Sequence, residues 1–472
     1  MAEPCGEAIV ASWRAAADGD ETPSSWWATA QDWGASVSRF GQTRARVATT
    51  LVALAVTAMA CTSTSSSTTT SSGSGAGAGG SGVTPSMSAT KTVCADAASC
   101  FVSANIATIG GIVPGLFKGA LVGTDAYLAY QNSLGGLDGR KFKLLSGDDQ
   151  FSCNLNQSLT QQFLSQVIAF TGSFSLQDNC GGQVLAANPS VPNVSETLNT
   201  STSQLPNTFS PSPLQPGWQL GPLEYYKSKF PEAIKHVGTL VAGVASSEAQ
   251  AAGQQAAMEH EGYQIVYSRT YGPLETDFTA DVIKMQQAGV QAVDLTAIDG
   301  SHAARFMQEA HTQGFHPQLV FSGGPIYTAD FVSQAGGASV VDGTYLNQTQ
   351  ALYLGGDAGS VPAVSQFLTW VHGLYPGFPT DIFTIYGWTS AALYVQALKN
   401  AGPNPTQAGL LAALGQVHSF DADGLLAPSD PAGKQPASCY LLAKIVNGQF
   451  VRTDMPASGF RCDAPYYTAP SS

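Results

Sequence analysis

The side chains with most chemical potential in this sequence are its cysteines, a few acids and the histidines. Of eight cysteines, Cys94, Cys100, Cys153, Cys180, Cys439 and Cys462 fall as three local couples. Sequence alone does not fix connectivity, but short loops close at least entropic cost, which favours 94–100, 153–180 and 439–462. No C-x2-C pair occurs and no histidine lies close in sequence to these cysteines, so no metal site is expected. Catalytic patterns are equally sparse. His260-Glu261 lacks the second histidine of a zinc-protease helix. No G-x-S-x-G elbow is spelled, which removes the usual α/β-hydrolase nucleophile. The adjacent carboxylates of Asp148 and Asp149 would point to opposite faces of an extended strand, a structural rather than an acid–base arrangement. The seven histidines are scattered, and His302 and His311 are expected to face solvent. Neither an enzyme nor a cofactor is expected.

A different cysteine chemistry is suggested upstream. The apolar run from Val47 to Ala60 follows Arg39, Arg44 and Arg46 and ends at Cys61. It is too short for a bilayer core, which takes about 20 apolar residues, and suits the apolar region of a secretory signal. Ala58 and Ala60 before Cys61 resemble the lipobox of bacterial lipoproteins, which implies a diacylglyceryl group on the Cys61 thiol and anchorage to the outer face of the cell membrane. Simple signal cleavage or a retained helix are the alternatives. From Thr62 to about Gly82 the chain is nearly all Ser, Thr, Gly and Ala, a flexible leash with nothing to bury. Met1 to Ser38 fits no targeting pattern, and a true start near Val37 is expected. Residues 1–60 are therefore set aside as extension plus signal peptide, and 61–97 as the anchored linker.

Roughly 375 residues remain, enough for two ordinary domains. The formal net charge of −13 disfavours nucleic acid and anionic membrane as partners. Short β-rich runs at 106–109, 142–145, 167–170, 237–241, 265–267, 292–295 and 319–321 alternate with helical patterns at 120–132, 157–166, 223–229, 249–261, 278–288 and 301–313. That rhythm predicts an α/β fold of βαβ units with mainly parallel, doubly wound sheets. A proline-rich interval from Pro189 to Pro222 reads as a loop and domain crossing, after which the rhythm restarts. Two similar lobes around a central cleft follow, with ligands beyond the carboxyl ends of the strands.

Particular residues add a resemblance. Gly135-Gly136-Leu137-Asp138-Gly139-Arg140, before the strand at 142–145, resembles the GG-[IL]-x-G-[RK] turn of type I periplasmic binding proteins of the leucine/isoleucine/valine class. Asp148-Asp149 with Cys153, and Cys180 after it, match that class's acidic strand end and lobe-one bridge. Gly123, Asp277-Phe278, Tyr386 at the head of a helix from Tyr386 to Leu398, Phe420 to Leu425 and Asn447 to Val451 extend the similarity over Asn105 to Arg452. The resemblance implies a three-crossover hinge, with lobe one from 98–221 and 349–427, lobe two from 222–348 and 428–463, a last strand from Tyr440 to Ile445 rejoining lobe two, and a tail from 464–472.

It also implies a ligand site. In that class hydroxyls and helix N-termini of lobe one hold the ligand's carboxylate, which places Ser173, Ser175, Ser195 and Thr197 here, although the same hydroxyls would serve as helix caps. The lobe-two carboxylate that meets an ammonium is missing after Phe321, where Ser322-Gly323-Gly324-Pro325 stands. Asp299 or Glu196 would substitute, Asp299 being equally suited to cap the helix after it. Tyr327, Tyr386 and Phe174 would line the pocket, with Ser247 in the remaining wall. The implied function is the solute-binding component of an ABC importer, a monomer taking an amino acid or related small carboxylate to a membrane permease and its ATPase by hinge closure. A ligand-sensing ectodomain partner of a receptor and a surface hydrolase are the alternatives.

Overall fold

The computed structural model describes residues 85–470 apart from Ser86 and Ala97, so the expectations for Met1–Ser38, the apolar run, Cys61 and the Ser/Thr/Gly leash lie outside the described residues. Two sheets dominate the described chain. The first has the strand order β2-β1-β3-β4-β5, built from β1 (Cys100–Ala107), β2 (Lys141–Asp148), β3 (Ala169–Thr171), β4 (Asn193–Val194) and β5 (Thr208–Phe209), all parallel. The next strand, β6 (Gly217–Gln219), stands outside it. The second sheet holds β7 (Val237–Ala242), β8 (Ile265–Tyr271), β9 (Ala292–Asp294), β10 (Leu319–Ser322), β11 (Tyr345–Gln348), β12 (Leu441–Val446) and β13 (Gln449–Arg452) in the order β13-β12-β11-β10-β9-β7-β8. Its first five strands in sequence are parallel, and β12 and β13 add antiparallel at one edge.

Burial explains which runs were visible. β7 is covered on both faces and reads as nearly continuous apolar sequence, whereas β1 carries buried Ser103 and Asn105, and the run expected at 106–109 meets only its last two residues. β8 lies at the sheet edge and alternates between half-buried and exposed residues, so only its start stood out. Each expected helical pattern overlaps a helix, though the one at 157–166 starts late and overruns its helix by three residues: α1 (Lys118–Ser133), α2 (Cys153–Phe163), then, beyond α3 (Asp178–Ala187), α4 (Leu220–Lys229), α5 (Ala245–His260), α6 (Thr279–Gln287) and α7 (Gly300–Thr312). The unpredicted α3 opens Asp-Asn-Cys-Gly-Gly, a poor helical start by composition, which the Cys153–Cys180 bridge ties to α2. The other two bridges join Cys94 to Cys100 and Cys439 to Cys462, the three local pairings expected.

Past β11 the chain returns to the first sheet as α8 (Pro362–Leu374), α9 (Ile382–Asn400) and α10 (Gln407–Leu414), then rejoins the second sheet as β12, making three crossings in all. The return is made by close backbone contact between α1 and α9. A Cβ added at Gly123 would land on the carbonyl oxygen of Thr384, and one at Gly387 on that of Ala120. The Thr124 hydroxyl donates to Ala120 O at 2.7 Å and approaches Gly387 O at 3.3 Å. Asp381 and Thr384 form a reciprocal capping box that starts α9 beside Gly119. Tyr386 therefore sits one turn inside α9 rather than at its head.

Several expected boundaries shift. The segment read as the end of a linker is folded by residue 88: Ala89 is fully buried, and Thr90 N donates to Asp125 Oδ1 at 2.9 Å. The proline-rich interval contains β4, β5 and β6, because prolines between such short strands cost few ladder bonds. Chain assigned to lobe two from 428 still belongs with the first sheet, since Ser429 Oγ donates to Pro211 O and Lys434 Nζ donates to the carbonyls of Ser203, Leu205 and Thr208. The tail from 464 instead contributes β14 (Tyr466–Thr468), antiparallel to β6.

The α1–α9 contact generates the first prediction. Gly123→Ala should lower unfolding free energy by about 2–3 kcal/mol through overpacking against an unyielding backbone. Urea unfolding followed by circular dichroism checks this, and an unchanged midpoint would show that the helices separate freely.

Candidate functional site

The strands of both sheets deliver their carboxyl ends to one large cleft of about 820 Å³. From the first sheet come Phe174 after β3 and Glu196, Thr197 and Leu198 after β4. The second sheet supplies Thr296 after β9, Gly323 to Pro325 after β10, and Asn347 to Gln350 at the end of β11. α5 lends Ser246, Gln250 and Gly253, and α9 lends Ile382, Phe383 and Tyr386. Trp218 of β6 and Tyr466 of β14 complete the wall.

An aromatic cluster stands on the first-sheet side. Phe174 packs on Phe117, Phe383 and Tyr386 with ring centroids 4.6, 5.3 and 5.5 Å apart. This gives a ligand a broad apolar surface. Polar side chains on the walls include six amides, Gln215, Gln219, Gln250, Asn347, Gln348 and Gln350, and as many Ser and Thr hydroxyls.

Glu196 is the one Asp, Glu, Lys, Arg or His among the lining residues. Its carboxyl accepts from Ser210 Oγ at 2.6 Å and from Ser212 N at 3.0 Å. Burial pushes its pKa up to about 8, against the pull of those two serines. At neutral pH it is mainly protonated.

The expected site residues separate into three groups. Glu196, Thr197 and Tyr386 line the large cleft. Ser173, Ser175 and Ser195 line a second cavity of about 40 Å³, which Glu196 and Thr197 also border. There the hydroxyls serve the scaffold: Ser195 Oγ accepts from Ser173 N, Ser173 Oγ accepts from Ile106 N, and Ser175 Oγ donates to Asp149 while accepting from Asn156. Asp148 likewise accepts from the N–H groups of Ile109, Gly110 and Gln150, so both strand-end acids anchor loops.

Asp299, Tyr327 and Ser247 line neither cavity. Asp299 caps α7 through Ser301 N and His302 N, and pairs with the His302 ring. Burial would raise its pKa, but the bond and charge of His302 hold it below the usual carboxylate range. His302 is half-buried against Tyr271 and Phe278 rather than solvent-facing, whereas His311 is exposed. Tyr327 is fully buried, its hydroxyl accepting from Leu354 N at 2.8 Å and its carbonyl accepting from Tyr353 Oη at 2.7 Å. It secures the crossing after β11.

Sequence reasoning passed over Gln348, Trp218, Gln250 and Phe383. The run Asn347-Gln348-Thr349-Gln350 closing a buried strand was the available signal, since amides are uncommon where a chain goes fully inside. Trp218 and Phe383 carried none, because their meeting depends on the crossings.

A family model described as periplasmic binding protein matches residues 104–449. Solved structures share the fold. A solute-binding protein of an ABC transporter from R. palustris in complex with benzoate is 16% identical over 78% of this chain and 98% of its own, with a TM-score of 0.63. A branched-chain amino acid transporter substrate-binding protein from Streptococcus pneumoniae in complex with isoleucine is 17% identical over 78% of this chain and 100% of its own, at 0.59. A fatty acid ABC transporter substrate-binding protein from Thermomonospora curvata is 17% identical over 78% and 93%, at 0.60. No curated protein matches the chain by sequence.

The buried acids generate a pH prediction. Burial also raises Asp178, Asp294 and Asp381 to about 6, above their ordinary 3.8. A folded-state pKa above the unfolded one gives stability that is complete below the unfolded value and lost as pH rises through the folded one. The melting temperature should therefore fall as pH rises toward about 6, fall less steeply from there to about 8 and level off above it, and Glu196→Gln should remove the decline between about 6 and about 8. Thermal melts from about pH 5 to 9 check both, and a decline in that upper window that persists in the variant would assign it to another group.

Proposed function

The chain belongs to the periplasmic binding protein family, and from that premise we propose that it is the extracytoplasmic solute-binding component of an ABC importer. The observation that carries this reading is the cleft itself: about 820 Å³, walled by strand ends of both sheets, with the chain crossing between the sheets three times. Three crossings form a hinge that permits the lobes to close and limits other motions. Closure would bury a small organic solute and present a surface that a permease, driven by its ATPase, reads. The ligands named for the similar structures, benzoate and isoleucine, are of that size. The protein would work as a monomer.

Tethering belongs to the same proposal. No helix of the described residues is long and apolar enough to cross a membrane. The apolar run ending at Cys61 and the Ser/Thr/Gly leash after it support anchorage through a lipidated thiol. In cells making the full chain, Cys61→Ser should move the protein from the membrane fraction to the soluble one. An unchanged membrane fraction would exclude this anchor.

Solute capture is tested by a thermal-shift screen followed by small-angle scattering. A ligand at 100 times its dissociation constant adds about 2.7 kcal/mol to stability. A ligand that raises the melting temperature should also reduce the radius of gyration. Stabilisation without compaction by every hit would argue for a rigid sensor module instead.

A further inference from the structure

The cleft offers little to a charged ligand. A zwitterion would need a carboxylate for its ammonium and a donor cluster or cation for its carboxylate, but Glu196 is held by Ser210 and Ser212, and Asp299 is outside the cleft. Among the described residues no Lys, Arg or His lines the walls. The N–H groups of Leu198 and Asn199, which lie where an anion would be received beside the head of α3, already donate to the Asp178 carboxyl.

What the cleft does offer is unsatisfied neutral polarity. Gln348, 2% exposed, ends β11 on the cleft wall, and neither its Nε2 nor its Oε1 finds a hydrogen-bond partner among the described residues. Trp218 Nε1 and Thr197 Oγ1, on lining residues of their own, are likewise buried and unpartnered. Buried donors and acceptors are seldom left unpaired, because each forfeits its bonds to water without replacement. A carboxamide presents one donor face and one acceptor face side by side. Its complement is a group with an acceptor and a donor in the same arrangement.

We propose that the cleft selects an uncharged ligand in which an amide, lactam or urea edge pairs with the Gln348 side chain while an apolar or aromatic body lies on the Phe174–Phe383–Tyr386 cluster. This rests on the solute-binding reading above and narrows it to a neutral chemical class. A free carboxylate supplies acceptors only and leaves Gln348 Oε1 unpaired. Cations and ammonium groups would find no ionised partner.

The test uses matched pairs with the full-length protein: benzamide against benzoate, hexanamide against hexanoate, and N-acetyl-leucinamide against leucine. Calorimetry should show the neutral member of at least one pair binding at least about tenfold tighter, roughly one 1.4 kcal/mol step. Charged members binding as well or better, or no neutral member binding at all, overturns the proposal. Compaction in scattering by a charged member would leave the solute-binding role standing while this inference falls, whereas no compaction by any member would count against both.

Gln348→Met gives a readout that needs no ligand. The swap nearly conserves volume and removes an orphaned amide, so the ligand-free variant should melt at the wild-type temperature or on the order of 1–2 °C above it, while losing at least tenfold in affinity for the neutral ligand. A clear fall in the ligand-free melting temperature would mean that the amide is already satisfied within the protein, and would also overturn the proposal.

Discussion

The contact on which the rest of the architecture depends is the backbone-to-backbone crossing of α1 and α9. These helices are more than two hundred residues apart in sequence, and β2 to β5 of the first sheet and the parallel strands of the second all lie between them. Glycine at 123 and 387 lets carbonyls and main-chain atoms meet directly, without intervening side chains. Close approach multiplies dispersion contacts, individually tiny and collectively large. It also brings the N-terminal turn of α9, with Phe383 and Tyr386, to the cleft wall beside Phe174. Without that crossing the first lobe would lose its covering helices and the cleft its aromatic face.

The crossings between the sheets are held at both ends by bonds that do not involve a ligand. After β11, the Tyr327–Tyr353 pair, with exchanged hydrogen bonds to carbonyl and amide, fixes the chain as it leaves the second sheet. Before β12, Lys434 sets its ammonium against three carbonyls of the 203–208 segment, burial holding its pKa below the ordinary lysine value. A charge paired only with carbonyl dipoles is a strong local clamp.

Much of this was legible in the sequence because parallel strands buried on both faces are apolar throughout and the helices between them carry a periodic face. β7 and β10 announced themselves in that way, as did the three local cysteine pairs, whereas the run expected at 106–109 met only the last two residues of β1. Of the return elements, β12 and most of α9 were expected only through the resemblance, as the strand Tyr440–Ile445 and the helix Tyr386–Leu398, and α8 was not expected at all. α9 is buried on most of its surface, which erases periodicity, whereas α8 keeps a periodic buried face at Val364, Phe367, Trp370 and Val371 that was passed over. The site was harder still. Ser173, Ser175 and Ser195 have the right chemistry for a ligand, but the scaffold consumes their hydroxyls one layer beneath the cleft. Asp299 looked like an available acid until the turn of α7 supplied His302 as its partner three residues on. Spacing along the chain places a residue after a strand and leaves open which of two cavities its side chain enters.

The division between those two layers has a physical logic. Beneath the cleft every carboxylate is spent: Asp148 and Asp149 anchor loops, and Asp178 gathers the amides that would otherwise receive an anion. Along the cleft wall the polar side chains other than Glu196 are uncharged, and the buried amide of Gln348 is unpaired. A binding protein that must release its cargo gains from this arrangement. Ion pairs sealed from water become very strong and hard to break, whereas a neutral hydrogen bond contributes modestly net of what water returns. Selectivity then comes from the penalty of leaving a buried amide unpaired with the wrong ligand, a large discrimination for a small total affinity. The rigid, charge-satisfied floor holds the geometry, and the uncharged walls above it set which solute is worth closing on.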